Sequence, residues 1–361
     1  MKTALLWLAL VLVGIGAALY FGRSNFETGT ADRPWPLGLG RTADAPKHFA
    51  ATKSNEAAVK LETLAAGVHI DLRPGRGAFQ DPVGRRQDLT EHLRTQLERS
   101  SDVIDAPPAE IAEYLQENEA RLDEILDHLL HGPPIVWELA VTRTEERREA
   151  LFIQHLQLER VLVARALEKA RSGEPGAWDD LHAGWNLARA LWVRPELEAI
   201  LTALNASRMI NGAARKMPLP PPGWLQEMHS YDYDRAMTRV HQVSAWRAKT
   251  SAVTARLRPM AEEVLRARAC DPASPQFDAA REKLGARAAP NVMMTWERLM
   301  RFRAEREATQ RILQLRAGAV PAKESQCSDG SWEVTPTSVR FTRDISVRRP
   351  QFHYPLEYTR P

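Results

Sequence analysis

The chain has 361 residues, 44% of them hydrophobic and 26% charged, with 49 Lys and Arg against 46 Asp and Glu. That balance excludes a disordered or low-complexity chain and leaves room for one large domain or two modest ones. The net charge of +3 creates no demand for a nucleic-acid partner, and the excess of arginine over lysine is what a GC-rich genome produces by itself.

Ala4 to Gly22 run without a charge between Lys2 and Arg23. As a helix the run spans roughly 28 Å, close to a hydrocarbon core, and Trp7 and Tyr20 lie near its ends, where amphipathic rings favour the interface. The reading is an uncleaved transmembrane anchor over 1–23. The competing reading is a signal peptide cut after Gly16-Ala17-Ala18. No lipobox-type cysteine follows. Lys2 gives a positive-inside bias, which places the bulk of the chain outside the cytoplasm, in the periplasm if the cell is Gram-negative.

Residues 24–53 are rich in Gly, Pro, Ala and Thr, including Pro34-Trp35-Pro36 and Gly38-Leu39-Gly40. They read as a tether, or as extended chain lying on the domain. Stretched out, thirty residues reach about 100 Å.

A helical domain is expected over 54–318. Leu61, Leu64, Ala65 and Val68 form one stripe. Arg73 to Arg86 is a loop whose Arg73-Pro74-Gly75-Arg76-Gly77 can hold a phosphate or serve as a plain loop; it has neither the P-loop lysine nor the dinucleotide-binding glycine spacing. Leu89, Leu93 and Leu97 mark a short helix, with Asp88 and Glu91 spaced like a capping box. Pro107-Pro108 opens another, with Ile111, Leu115, Leu122, Ile125, Leu126, Leu129 and Leu130 inward and Gly132-Pro133-Pro134 as its stop. Thr142 and Glu145 are spaced as a capping box for a helix carrying Leu151, His155, Leu158 and Leu162. Beyond the break at 172–176, Trp178, Leu181, Trp185, Ala188 and Trp192 share a face. Pro195 fits the first turn of the next helix, with Leu197, Ile200, Leu201 and Leu204. A long helical stretch from Asp232 to Ala269 should kink or split at Pro259. Another runs from Asn291 to Ala317, with Arg298, Arg301, Arg303, Arg306 and Arg311 among its apolar positions.

The period changes at the C-terminus, 319–361. Segments 331–334, 338–342 and 345–347 alternate as short strands do, and an aromatic tail runs from Phe352 to Tyr358. The fold class is therefore all-α, a helical bundle or a short array of helical hairpins, with one N-terminal transmembrane helix and a small β appendix. Cys270 and Cys327 are the two cysteines. They pair in an oxidising compartment, closing a loop worth about 4 kcal/mol in the chain-entropy model, or else are unrelated thiols.

The passage from Ala164 to Leu204 resembles a tetratricopeptide-like hairpin: Ala166-Leu167 and Ala170, the Ser-Gly-Glu-Pro-Gly turn, then Gly184 and Leu187 to Leu191. With Arg194-Pro195-Glu196-Leu197, Gln310 to Arg316 and Cys327 to Val334, about half the chain is similar to a group of uncharacterised, membrane-anchored helical proteins of bacteria. That resemblance implies the architecture and no activity.

Several constellations can carry chemistry. Glu124, His128 and His131 share a helix face with spacings of four and three, as a Zn²⁺ or Fe²⁺ ligand set would; the alternative is a solvated face with His131 at a helix C-terminus. His155, one turn from Glu159, is either a buried base or a hydrogen-bonded core histidine. Trp178, Trp185 and Trp192 form either a stacking platform or a helix–helix seam. The arginine-rich helices face anionic headgroups or form a solvated, salt-bridged surface. Asn205-Ala206-Ser207 matches a glycosylation acceptor but falls inside a helix. No Gly-x-Ser-x-Gly, Cys-x-x-Cys or His-Glu-x-x-His is present. The expected function is a membrane-anchored envelope protein with a non-catalytic helical scaffold that binds an unidentified protein partner, with Phe352, Tyr354 and Tyr358 as contact residues and no cofactor. The alternatives are a lipid- or small-molecule-binding helical domain, or a metal-dependent hydrolase using Glu124, His128 and His131.

Overall fold

The computed structural model describes residues 33–49, 51–72, 85–139, 152–248, 251–284, 290–345, 347 and 352–360. Thirteen helices and one three-stranded sheet are formed by these residues. The helices are α1 (Ala45–His48), α2 (Glu56–Gly67), α3 (Arg85–Glu98), α4 (Ala109–Glu117), α5 (Glu119–His131), α6 (Ile153–Ser172), α7 (Ala177–Trp192), α8 (Leu197–Ala214), α9 (Gly223–Ser230), α10 (Tyr233–Ala248), α11 (Ser251–Ala267), α12 (Pro275–Leu284) and α13 (Pro290–Arg316); the strands are β1 (Trp332–Val334), β2 (Ser338–Phe341) and β3 (Glu357–Thr359). Among the described residues no helix is long and apolar enough to cross a membrane. The apolar run 4–22, the Arg73–Gly77 loop and the Thr142/Glu145 capping pair lie outside the described residues.

The centre is the triple packing of α6, α7 and α8. Leu158, Leu162, Leu181, Ala188, Ala203, Leu204 and Ile210 are wholly buried there, and each leucine contributes about 2 kcal/mol by leaving water. Gly173 ends α6 with φ 73°, a left-handed conformation costly to other residues, and its N–H closes on the Lys169 carbonyl. The chain thus reverses into α7 and makes the hairpin that the spacing predicts. A buried ion pair locks it: Arg165 lies 2.5 Å from Asp180, and Lys169 reaches the same carboxylate at 2.9 Å. Trp185 and Trp192 are buried in the seam, and the Trp192 indole donates to Ser207 on α8. Helix α5 packs on α7, α2 on α5, and α3 on α6.

Several boundaries differ from those the periodicity predicts. The stretch after Pro107-Pro108 is two helices, α4 and α5, which meet at Asn118. Asp88 lies inside the first turn of α3 rather than at its cap. The stretch 232–269 holds two helices, α10 and α11, and Pro259 sits within the second. Part of the 24–53 segment packs on the domain: Trp35 and Leu39 are buried, and Gln242 of α10 donates to the Leu39 and Arg41 carbonyls.

Helix α13 corrects the reading of its arginines as a solvated or lipid-facing surface. Arg301, Arg303, Glu305, Glu307 and Arg311 are all buried, because α8 covers one side and the sheet and C-terminal tail cover the others. Arg208 of α8 meets Glu305 with two bonds of 2.8 and 2.7 Å, and Arg301 donates to the same carboxylate at 2.9 Å. A bidentate guanidinium–carboxylate pair, with further donors of these arginines bonded to backbone carbonyls, is the arrangement that lets such charges be buried.

Those remaining donors hold the tail. Arg208 donates to the Phe352 carbonyl, Arg301 to that of Tyr354 and Arg215 to that of Pro355. Tyr354 lies over Gly212, where a Cβ would come within 2.5 Å of its ring. Phe352, Tyr354 and Tyr358 are therefore core residues, exposed by 1–2%, and not a contact surface. The tail also supplies the third strand. The antiparallel order is β1-β2-β3, with Val339 opposite Tyr358, whereas Ile345 and Val347 lie outside any strand. A disulfide joins Cys270, just after α11, to Cys327, just before β1, with a Cα separation of 5.4 Å. Asp329 accepts the backbone N–H groups of Cys270 and Asp271 at 2.9 Å each, which orients both sides of the bond.

Candidate functional site

The Glu124, His128 and His131 trio is not assembled. His128 is buried, and its Nε2 donates to the Ala57 carbonyl at 2.8 Å, pinning α5 to α2. Glu124 and His131 lie on the exposed side of the same helix. The spacings of four and three bring the residues to one stripe, but the stripe straddles the boundary between core and solvent. Among the described residues, the grouping of metal-ligand type is Cys270, Cys327 and Asp329, whose sulfurs are consumed by the disulfide.

The unusual chemistry lies instead on the buried face of α6. His155 sits in its first turn and Glu159 one turn later; they are 2% and 1% exposed. Residues four apart on a helix are neighbours. Among the described residues, neither ring nitrogen of His155 and neither carboxyl oxygen of Glu159 has a hydrogen-bond partner. The reading of His155 as a hydrogen-bonded core histidine thus has no partner among those residues. Buried polar atoms are nearly always paired, because each one left without a partner costs about 1–3 kcal/mol.

The walls are specific. The Trp137 ring meets His155 edge-on at 4.8 Å, and Phe152 meets it at 5.4 Å. The Trp137 indole N–H is also buried without a described partner. Trp137 belongs to an extended segment sewn to the start of α2: Thr52 and Leu139 exchange backbone bonds of 2.8 and 2.9 Å, and the Asn55 N–H donates to Val136. Asn55 also caps α2, its Oδ1 accepting from the Ala58 and Val136 N–H groups, so one side chain fixes both the helix start and the wall. Arg194 closes the outer side. Its guanidinium lies 4.9 Å from the Phe152 ring centroid, donates to the Glu138 carbonyl and pairs with Glu196.

Gly184 of α7 makes the space for Glu159. A Cβ there would stand 2.2 Å from Oε1, so any other residue would displace the carboxyl group. Next to it, the Trp185 indole N–H is buried and lacks a described partner.

Burial sets the protonation states. Desolvation lifts Glu159 to about 8, and no charge opposes it. Desolvation, then the Arg194 charge, lowers His155 to about 3. At neutral pH the centre holds a carboxylic acid and a neutral imidazole. It carries hydrogen-bond donors and acceptors and no net charge. The sequence marked His155 and Glu159 as neighbours on an apolar stripe; Trp137 and Gly184 were not legible as parts of the centre, because their roles depend on contacts between separate elements. No family model matches the chain, no curated protein is similar to it, and no solved structure matches its fold.

Proposed function

We propose that the protein is held in a membrane by its apolar segment 4–22 and keeps its helical domain outside the cytoplasm, in the periplasm if the cell is Gram-negative, as a non-catalytic binding domain. The observation that carries this is the buried disulfide between Cys270 and Cys327. Such bonds persist in oxidising compartments, and these are the chain's two cysteines. A protein partner on the outer helical surface remains the first reading of what is bound, although the aromatic tail first assigned to that contact lies inside the fold. The His155–Glu159 centre, buried without partners among the described residues, favours a second reading, a small-molecule-binding domain.

The test of the first proposal is topology. Reporter fusions are combined with thiol labelling of Cys270 and Cys327 in intact and permeabilised cells. The expected result is an exported reporter and thiols that react only after reduction. Free thiols that label only on permeabilisation would place the domain in the cytoplasm and end the proposal.

A further inference from the structure

The segment from Arg33 to Phe49 lies on the domain and does not act as a tether. Trp35, Leu39, Ala45 and Phe49 are buried. The Trp35 N–H closes on the Gly40 carbonyl and its indole donates to Thr42, so 35–40 is a tight loop. Gln242 of α10 holds the Leu39 and Arg41 carbonyls, and Arg258 of α11 donates to that of Arg33. The chain is therefore fastened to α10 and α11 from Arg33 onward. With 4–22 as the anchor, the connection left between them is 23–32, which reaches about 40 Å at most. A compact chain of about 330 residues has a radius of gyration of about 20 Å, hence a diameter of about 50 Å. To bring its opposite side to the membrane, the connection would have to run about 80 Å around it. It is too short for that, so the face that carries Arg33 turns toward the membrane.

That face has the chemistry of a contact with lipid. Leu37 is at the tip of the loop, 40% exposed, and holds φ at 59°, a left-handed conformation costly to a leucine. The bridge between Trp35 and Gly40 sets Arg33 and Arg41 at the base of the loop. Both are exposed, as is Lys47. Asp44 is the acid among them and accepts from Lys47 and from the Arg41 N–H at 2.9 Å each. Residues 33–47 thus carry three positive charges against one negative, and Arg258 of α11 is balanced by Glu262. The connection adds Arg23, Glu27 and Asp32, which leaves the balance positive. We propose that this loop docks on the phosphate layer of the membrane that holds the anchor. Leu37 enters the boundary between headgroups and acyl chains, and Arg33, Arg41 and Lys47 meet lipid phosphates. An apolar tip ringed by cations suits that boundary, and long basic side chains reach phosphates while their stems stay in apolar surroundings. The short connection keeps the loop at a high effective concentration at the surface, so a weak contact suffices. The docking rests on the reading of 4–22 as the anchor and is independent of which side of the membrane the domain occupies.

The experiment uses the full-length protein in vesicles of phosphatidylcholine, with and without phosphatidylglycerol. The native cysteines are joined, so Ala43→Cys, at an exposed position beside the loop, offers one thiol for a fluorophore. Val320→Cys, 75% exposed between α13 and β1, is the reference. Lipid spin-labelled near its headgroup quenches a fluorophore that touches the interface. The label at position 43 should be quenched and the one at 320 should not, more strongly with phosphatidylglycerol present. Arg33→Glu with Lys47→Glu should lower the ratio of docked to undocked protein at least about tenfold, and high salt should act in the same direction. Leu37→Gly suits the left-handed backbone, so it should fold, and it should lower the ratio at least about fivefold. Flotation of the vesicles after alkaline extraction tests the anchor separately. Protein that is washed off overturns the anchor and the docking together. Protein that floats with equal quenching at both positions, or with quenching indifferent to these variants, keeps the anchor and overturns the docking. A label at 43 that becomes shielded with rising protein concentration in lipid-free detergent, and is not quenched in vesicles, assigns the face to a second copy and overturns it as well.

Discussion

Replacing Glu159 by Gln should change how stability depends on pH, and the sign follows from linkage. Glu159 titrates near its ordinary value of 4.5 when unfolded and at about 8 when folded. Between those values the folded state holds a proton that the unfolded state has released, so stability falls as pH rises. At about pH 5.5 this difference removes about 1.4 kcal/mol, and at about pH 8 about 4 kcal/mol. Glutamine has the same shape and does not titrate. The stability of the variant relative to wild type should therefore grow by about 3 kcal/mol between these two pH values. Other titrating groups, including the buried His229 and His241 that burial lowers to about 3, are common to both proteins and cancel in the comparison. Any fixed gain or loss from the amide group cancels as well. The assay is urea unfolding of full-length wild type and variant at both pH values, compared at equal m-values. A difference that stays flat with pH would mean that Glu159 is ionised in the folded state across this range, and the account of an uncharged His155–Glu159 centre would be wrong.

Two further predictions concern what holds the domain together. Cys270→Ser with Cys327→Ser should cost about 4 kcal/mol, since the bond closes a loop between residues 57 apart; wild type unfolded in reductant should lose the same amount, and unchanged midpoints would show that the bond contributes nothing. Arg208→Met leaves Glu305 buried with fewer partners and should cost about 3–5 kcal/mol, and adding Glu305→Leu should not recover it, because the buried Arg301 then loses its own carboxylate partner. Hydrogen exchange in the 352–355 tail should rise in the single variant, and an unchanged tail would show that the Arg208 bond to the Phe352 carbonyl is not an anchor.

The helices were legible because their apolar residues repeat at the helical period and their ends carry local stops, as at Gly173. Three features that local pattern did not place share a cause. Arg301 to Arg311, the Phe352–Tyr358 tail and the Glu124–His128–His131 stripe were each judged by residue type along one segment, where arginines read as surface, a terminal aromatic run as a contact surface and spaced histidines as either ligands or a solvated face. Whether a guanidinium can be buried depends on a carboxylate elsewhere in the chain, and Arg208 and Glu305 are 97 residues apart.

The sequence by itself determined the mainly helical class, the hairpin around Gly173, the alternation of β2 and the apolar character of 4–22, because each depends on patterns within a few turns of chain. Tertiary structure alone decided that α13 is enclosed, that the tail supplies β3 and lies clamped over α8, and that His155 and Glu159 are buried without described partners between Trp137 and Gly184. Those outcomes are set by which distant groups are brought within hydrogen-bonding reach of one another, and no local periodicity encodes that distance.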